Sequence, residues 1–290
     1  MFTKILVCSD GSDTALQAAK AAAEIARRFQ ADLTVLSVVY PAALMMPFSS
    51  APEAAPHMAI VRELGEQMHT CIQQTTGTVL EAAGVPFQSR REFGHPVESI
   101  LSVAGELKAD LIVLGSRGVS EWEAIRLGSV TEGVLHQASC PVWIVRGEET
   151  TFSRILLASD GSAGAYQATL AAGTLAHQFA VPLTILTVLE PLGPLAHVLA
   201  EKADPESGSR RVREIVAARV QRIVEQADIA CTICQEEGHP AETIVRYARE
   251  HEYPLIVMGN RGMSTLAALT LGSVSNRVAR HASCSVLIVR

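Results

Sequence analysis

Short runs that are apolar at nearly every position punctuate the chain: KILVCS at 4–9, DLTVLSVV at 32–39, LIVLGS at 111–116 and VWIVR at 142–146. Between them lie longer, alanine-rich stretches whose apolar residues recur at helical spacing. A run that is apolar on both alternating faces suits a strand covered on both sides, as in a parallel sheet. Parallel strands separated by helices need right-handed crossovers, and the outcome is a doubly wound α/β sheet. The pattern predicts five strands, at about residues 4–9, 32–39, 86–91, 110–115 and 142–146, and then repeats.

The repeat is close. Residues 4–41 align without gaps on 154–191 at an offset of 150, from KILVCSDGS against RILLASDGS to the proline after the second strand. FGHPVESIL at 93–101 matches EGHPAETIV at 237–245, now at an offset of 144, so the length difference falls between Pro41 and Phe93. CPVWIVR at 140–146 and CSVLIVR at 284–290 close the copies, and the polar GEETTFS at 147–153 separates them. Two domains from one template are expected, at 1–146 and 154–290, each large enough to bury its own core. Pro96 and Pro240 fit the first position of a helix, which makes His95 and His239 residues beside a cap.

Composition narrows the function. Of 290 residues 48% are hydrophobic and the formal net charge is −6, without the basic tail of a duplex-binding protein. The densest basic run, Arg210, Arg211, Arg213, Arg219 and Arg222, is interleaved with Val212, Ile215, Val216, Val220 and Ile223, as on the wet face of a helix. Nothing resembles an export signal, and no apolar run approaches the ~20 residues of a membrane span. A cytoplasmic protein with neither nucleic-acid nor membrane partner is expected. Cys231 and Cys234 form a C-x-x-C, but in an alternating run they point to opposite faces, which favours buried, unreactive cysteines over a metal or redox pair. Met45, Met46 and Phe48 lie in a Pro- and Ser-rich loop that either packs on its own domain or offers a sticky surface.

Chemistry concentrates in GSRGVSEWEAIRLGSV at 115–130 and GNRGMSTLAALTLGSV at 259–274. Each ends its fourth strand in glycine, returns to glycine three residues later, and opens a helix with Gly-Ser after nine more. In a doubly wound sheet, ligands lie beyond the carboxyl ends of the strands, where strand order reverses. Bare backbone and a helix N-terminus there suit a phosphate, and Arg117 and Arg261 add fixed charge. Ser129 with Glu132 also reads as an S-x-x-E capping box, which would explain that serine without a ligand. Asp10 and Asp160 either face the site or brace the DGS turn. No G-x-x-x-x-G-K-[ST], G-x-G-x-x-G after the first strand, G-x-S-x-G or H-E-x-x-H occurs.

SDGS after the first strand, GHP before the third helix, G-x2-G-x9-G-S and the closing PVWIVR together resemble the universal stress protein family across both copies. The resemblance implies two Rossmann-like sheets of the adenine nucleotide alpha hydrolase type, strand order 3-2-1-4-5, packed as a pseudo-twofold pair. It also implies that each copy binds ATP, because members carrying the full glycine motif do so, and Mg²⁺ is expected to accompany the nucleotide. Carried over, the phosphate and ribose loop is Gly115, Arg117, Gly118, Gly128, Ser129 and Val130, and then Gly259, Arg261, Gly262, Gly272, Ser273 and Val274. The acid is Asp10 or Asp160, and the adenine-side residue is Val38 or Val188.

The expected function is regulatory: a stress-response protein whose nucleotide state modulates binding to a protein partner. A slow Mg-dependent ATPase or phosphotransferase is the alternative, as is an oligomeric scaffold without nucleotide. Phosphoryl transfer wants metal ligands and a group to position the nucleophile, and the copies share only one acid each. Glu121 and Glu123 occupy the first loop where Thr265 and Ala267 stand in the second, so the second site is expected to hold ATP more tightly. The apolar last strands are edge hazards, and the two domains are expected to cover each other there, with a homodimer as a further possibility.

Overall fold

The computed structural model describes residues 2–40, 54–118, 127–147, 152–190, 205–262 and 271–290. The chain divides into two compact units, Met1–Thr151 and Phe152–Arg290. In the first, β1 (Lys4–Cys8), α1 (Asp13–Phe29), β2 (Asp32–Val39), α2 (Ala54–Ala82), β3 (Phe87–Phe93), α3 (Pro96–Leu107), β4 (Leu111–Gly115), α4 (Ser129–Gln137) and β5 (Val142–Val145) follow one another. The second repeats the series as β6 (Ile155–Ala158), α5 (Ala163–Phe179), β7 (Leu183–Leu189), α6 (Pro205–Ala227), β8 (Thr232–Glu237), α7 (Pro240–Glu250), β9 (Leu255–Gly259), α8 (Ser273–His281) and β10 (Ser285–Val289). Strands in each unit are parallel, in the order β3-β2-β1-β4-β5 and β8-β7-β6-β9-β10. Order reverses between β1 and β4, and between β6 and β9, as the family resemblance implies.

The central strands β4 and β9 are buried at every residue. Against β4 lies α1, whose buried face is alanine at 15, 18, 19, 21, 22, 23 and 26 with one isoleucine, Ile25. Small side chains let the helix backbone approach the sheet closely, which matters for the site below. Ser12 caps this helix by accepting from the Ala15 N–H, and Ser162 caps α5 in the same way through Ala165.

The third strand of each unit departs from the apolar rule. β3 reads FQSRREF and β8 TICQEE, both half-wet, because each is an outer strand of its unit. Charged side chains discourage pairing at such an edge. In the first unit Arg90 of β3 bridges Glu92 and Glu106 at 2.9 and 2.6 Å. In the second the arginine has moved to the helix: Arg246 of α7 bridges Glu236 and Glu250 at 3.3 and 3.4 Å. Cys234 takes the place of Arg90 on the strand.

The C-x-x-C pair is therefore half-buried rather than buried, since Cys234 belongs to this outer strand and Cys231 immediately precedes it. All six cysteines are free. A hydrogen bond with Cys234, together with partial burial, pushes the Tyr247 phenol well above its usual range. The arginine-rich helix α6 buries Val216, Val220 and Val224 at four-residue spacing, with Arg219 and Arg222 in solvent and Ile215 exposed as well. Met45, Met46 and Phe48 lie outside the described residues. Among those described, no helix is long and apolar enough to cross a membrane.

One buried polar pair is particular to the first unit. His69 of α2 is fully buried, hydrogen-bonded through Nδ1 to Ser37 Oγ at 2.8 Å and set edge-on to Phe93. Burial holds the imidazole below its usual range; Arg91 adds to that depression, while Glu66 and Glu92 oppose it. The unfolded chain then binds more protons than the folded one below about pH 6.5, so stability rises with pH through that window. Acidification from about pH 7 to 5 is expected to lower the urea midpoint of the wild type more steeply than that of His69→Gln. Parallel pH profiles would contradict the assignment.

Candidate functional site

Both sites grow from the same turn. β1 ends at Cys8, and the Ser9 N–H makes one more sheet bond, to the Leu36 carbonyl at 2.9 Å. The next step needs a left-handed residue, which Gly11 supplies at φ +80° and Gly161 at φ +73°. Asp10 Oδ1 accepts from the Ser12 N–H at 3.0 Å and from Ser12 Oγ at 2.6 Å. Asp160 Oδ1 accepts from the Ser162 N–H at 3.0 Å. The aspartates do brace the turn, through Oδ1. Oδ2 of Asp10 lies 2.6 Å from where a Cβ on Gly118 would stand, and Oδ2 of Asp160 lies against Gly262 in the same manner. Each acid spans turn and glycine loop.

The motif glycines answer to packing against the protein itself. A Cβ on Gly115 would stand 2.7 Å from the carbonyl carbon of Thr14 and 2.8 Å from its oxygen; one on Gly259 would be 2.9 Å from the Gly164 oxygen. The last residue of the fourth strand thus sits on the first turn of α1 or α5 with no space for a methyl group. Thr14 Oγ1 also donates to the Arg117 carbonyl. None of the six motif glycines is among those with positive φ. At Gly115, Gly118, Gly259 and Gly262 close approach, and not an unusual backbone conformation, is what requires glycine.

The nine-residue excursion is closed at its base. The Gly128 N–H donates to the Ser116 carbonyl at 2.8 Å, and the Gly272 N–H to the Asn260 carbonyl at 2.8 Å. Gly128 and Gly272 are the N-caps of α4 and α8, which places Ser129 and Ser273 at the first helical position. The capping-box reading of Ser129 with Glu132 is corrected by this: a residue already inside the helix cannot cap it, and Glu132 instead lies 3.8 Å from His136. A glycine cap has no side chain to accept from the first-turn N–H groups, and a helix start of this kind suits an anion. The third helical residue ties the helix down, through Thr131 Oγ1 to the Gly115 carbonyl at 2.8 Å and Ser275 Oγ to the Asn260 carbonyl at 2.9 Å. Glu121, Glu123, Arg126, Thr265 and Ala267 lie outside the described residues.

In the second unit these parts enclose a cavity of about 380 Å³. Its walls include Asp160, Val188, Gly259, Arg261, Gly262, Gly272, Ser273 and Val274, which are all the candidates in that copy. The structure adds an apolar end that the motif did not disclose, formed by Leu186, Val216, Ile244 and Met258, with Glu190 and Pro240 beside it. Only Pro240 carried a signal, as part of the repeated GHP. In the first unit Asp10, Gly115, Arg117, Gly118, Gly128, Ser129 and Val130 occupy the matching rim, with Val38 near the end of β2. His95 and His239 are N-caps with no side-chain capping bond, as the prolines after them predict. Each meets the residue that follows the second strand, His95 edge-on to the Tyr40 ring and His239 Nδ1 3.9 Å from Glu190 Oε1. No group of three or more potential metal ligands occurs among the described residues.

Comparison with known proteins agrees with this architecture. The profile of the universal stress protein family matches residues 1–146 and again 151–290. A universal stress protein of Mycolicibacterium smegmatis is 29% identical, covering 99% of this chain and 96% of its own. One from Synechocystis sp. is 25% identical over 99% of both chains. The crystal structure of a universal stress protein from Archaeoglobus fulgidus superposes with a TM-score of 0.68 at 23% identity, covering 99% of this chain and 98% of that one. The chain belongs to the universal stress protein family.

The packing role of the glycines is testable without any ligand. Gly115→Ala and Gly259→Ala place a methyl against helix backbone that cannot move aside, and each is expected to destabilise its unit by about 1–3 kcal/mol. Gly105→Ala, in a helix with nothing within 4 Å of the new methyl, is expected to stabilise by about 0.5–1 kcal/mol. Chemical denaturation measures both. A neutral Gly115→Ala would contradict the close-approach account.

Proposed function

We propose that this universal stress protein binds ATP with Mg²⁺ at the switch-point rim of each unit, and that its nucleotide state regulates association with a partner protein. One observation carries the reading: a single cavity in the second unit gathers all eight candidates of that copy and joins them to an apolar end. The residues fit the ligand in kind. The apolar end beside Val188 suits a purine base, and Asp160 Oδ2 suits a sugar hydroxyl. The first-turn N–H groups of α8, with Arg261, suit phosphate oxygens. Each unit brings one aspartate to its rim, so Mg²⁺ would be held mainly by the phosphates it accompanies.

Binding is favoured over turnover. Hydrolysis needs a group to position water beside the terminal phosphate. Among the described residues, the ionisable lining of the cavity is Asp160, Glu190 and Arg261, with neither histidine nor lysine.

MgATP at a hundred times its Kd is expected to stabilise nucleotide-free protein by about 2.7 kcal/mol per site. The second site is expected to be the tighter, since Glu121 and Glu123 place negative charge in the first loop alone. Titration of Gly128→Val and Gly272→Val, each checked for folding, separates the sites: Gly272→Val should remove the tighter phase. No thermal shift at millimolar MgATP would overturn the nucleotide assignment. Loss of the tighter phase in Gly128→Val would overturn the ranking only.

A further inference from the structure

A second concavity in the second unit has no part in the nucleotide site. Between α7 and α8 lies a groove of about 400 Å³ lined by Ala241, Glu242, Val245, Arg246, Arg249, Arg277 and His281, none of which borders the other cavity. Residues 242, 245, 246 and 249 share one face of α7, and 277 and 281 are one turn apart on α8. Three guanidinium groups and an imidazole therefore converge on one space beside a single carboxylate.

The duplicated template shows that the fold does not need them. At the equivalent positions of α3 and α4, the first unit has Ser102, Gly105, Gly133 and Gln137. The exchange is steric as well as electrostatic. A Cβ on Gly133 would stand 2.7 Å from a methyl of Val97, so in the first unit valine and glycine close the helix pair together. The second unit has Ala241 and Arg277 at those two places, which opens the floor and hangs a cation over it. Charge is divided in the same sense: residues 1–151 carry the whole net charge of −6, whereas residues 152–290 have thirteen acids against thirteen lysines and arginines.

The present partners of these cations hold them weakly. Arg277 lies 4.0 Å from Glu242, and Arg246 is shared between Glu236 and Glu250 at 3.3 and 3.4 Å, all on open surface where such pairs add little to stability. The Arg249 guanidinium has no ion pair or hydrogen bond among the described residues.

We propose that this groove binds a compact anion bearing two or more phosphate groups, independently of the nucleotide cavity. Guanidinium forks match phosphate oxygens in geometry, and each charge-assisted bond is strong. The space is of small-ligand size. Its apolar floor is Ala241 and Val245 only, without the aromatic or large aliphatic anchor on which a protein partner depends. Glu236 and Glu250, bound to Arg246, and an overall negative chain disfavour an extended nucleic-acid strand.

Tripolyphosphate is the probe, titrated calorimetrically into the full chain carrying Gly128→Val and Gly272→Val so that the nucleotide rims are silenced. One binding event is expected. Adding Arg249→Gln and Arg277→Gln should weaken it by about tenfold or more. In the chain with intact glycines those two substitutions should leave unchanged the MgATP binding that Gly128→Val and Gly272→Val remove. Absence of binding to the glycine variant, or binding indifferent to both arginine substitutions, would overturn the proposal. So would capture of polyglutamate in place of tripolyphosphate, which would mark an acidic-protein surface instead.

Discussion

The last residue of the fourth strand lies on the first turn of the first helix with no space between them for a methyl group. Gly115 on Thr14, and Gly259 on Gly164, are the contacts from which the rest of each rim follows. An alanine face on α1 lets the helix settle low enough on the sheet to make that contact. Its start is fixed in turn by the left-handed glycine and the capping serine of the DGS turn. With strand end and helix start in register, Asp10 and Asp160 can brace the turn with one oxygen and face the glycine loop with the other. The N–H of Gly128 or Gly272 then closes the loop at its base and leaves a helix opening toward the switch point without a side-chain cap.

Because the chain holds two copies of one template, each serves as a control for the other. What both keep is the rim: turn, acid, glycine contact, glycine cap and tethering hydroxyl. What differs is elsewhere. The ion pair guarding the outer strand survives although its arginine has moved from β3 to α7, so the charge is required there and its position is not. The helix pair behind it is closed by Val97 and Gly133 in one unit and opened by Ala241 and Arg277 in the other, without change to the packing order of elements. Neutral-to-cationic exchange on a conserved frame is what singles out the groove.

Much of this was legible in the chain. All-apolar runs located β1, β2, β4 and β5 to within a residue, since buried parallel strands have no polar face to blur them. Pro96 and Pro240 marked helix starts because proline tolerates only the first turn. β3 and β8 carried a weaker signal, as outer strands whose polar residues serve the edge. Ser129 was ambiguous for a physical reason: S-x-x-E fits a cap, but a glycine immediately before it can take the cap position and move the serine inside. The reason for the motif glycines was not legible either, because Thr14 and Gly164 meet them across about a hundred residues of chain. Contacts such as Glu190 with His239 are of the same kind, made by elements that only the sheet order brings together.

The central claim is that the rim of each unit is a nucleotide site, and a crystal structure grown with MgATP tests it most directly. The account predicts phosphate density over the first-turn N–H groups of α8, within reach of Arg261, with the base at the end formed by Val216, Ile244 and Met258. Nucleotide bound elsewhere on the chain, with that cavity filled only by water, would contradict it.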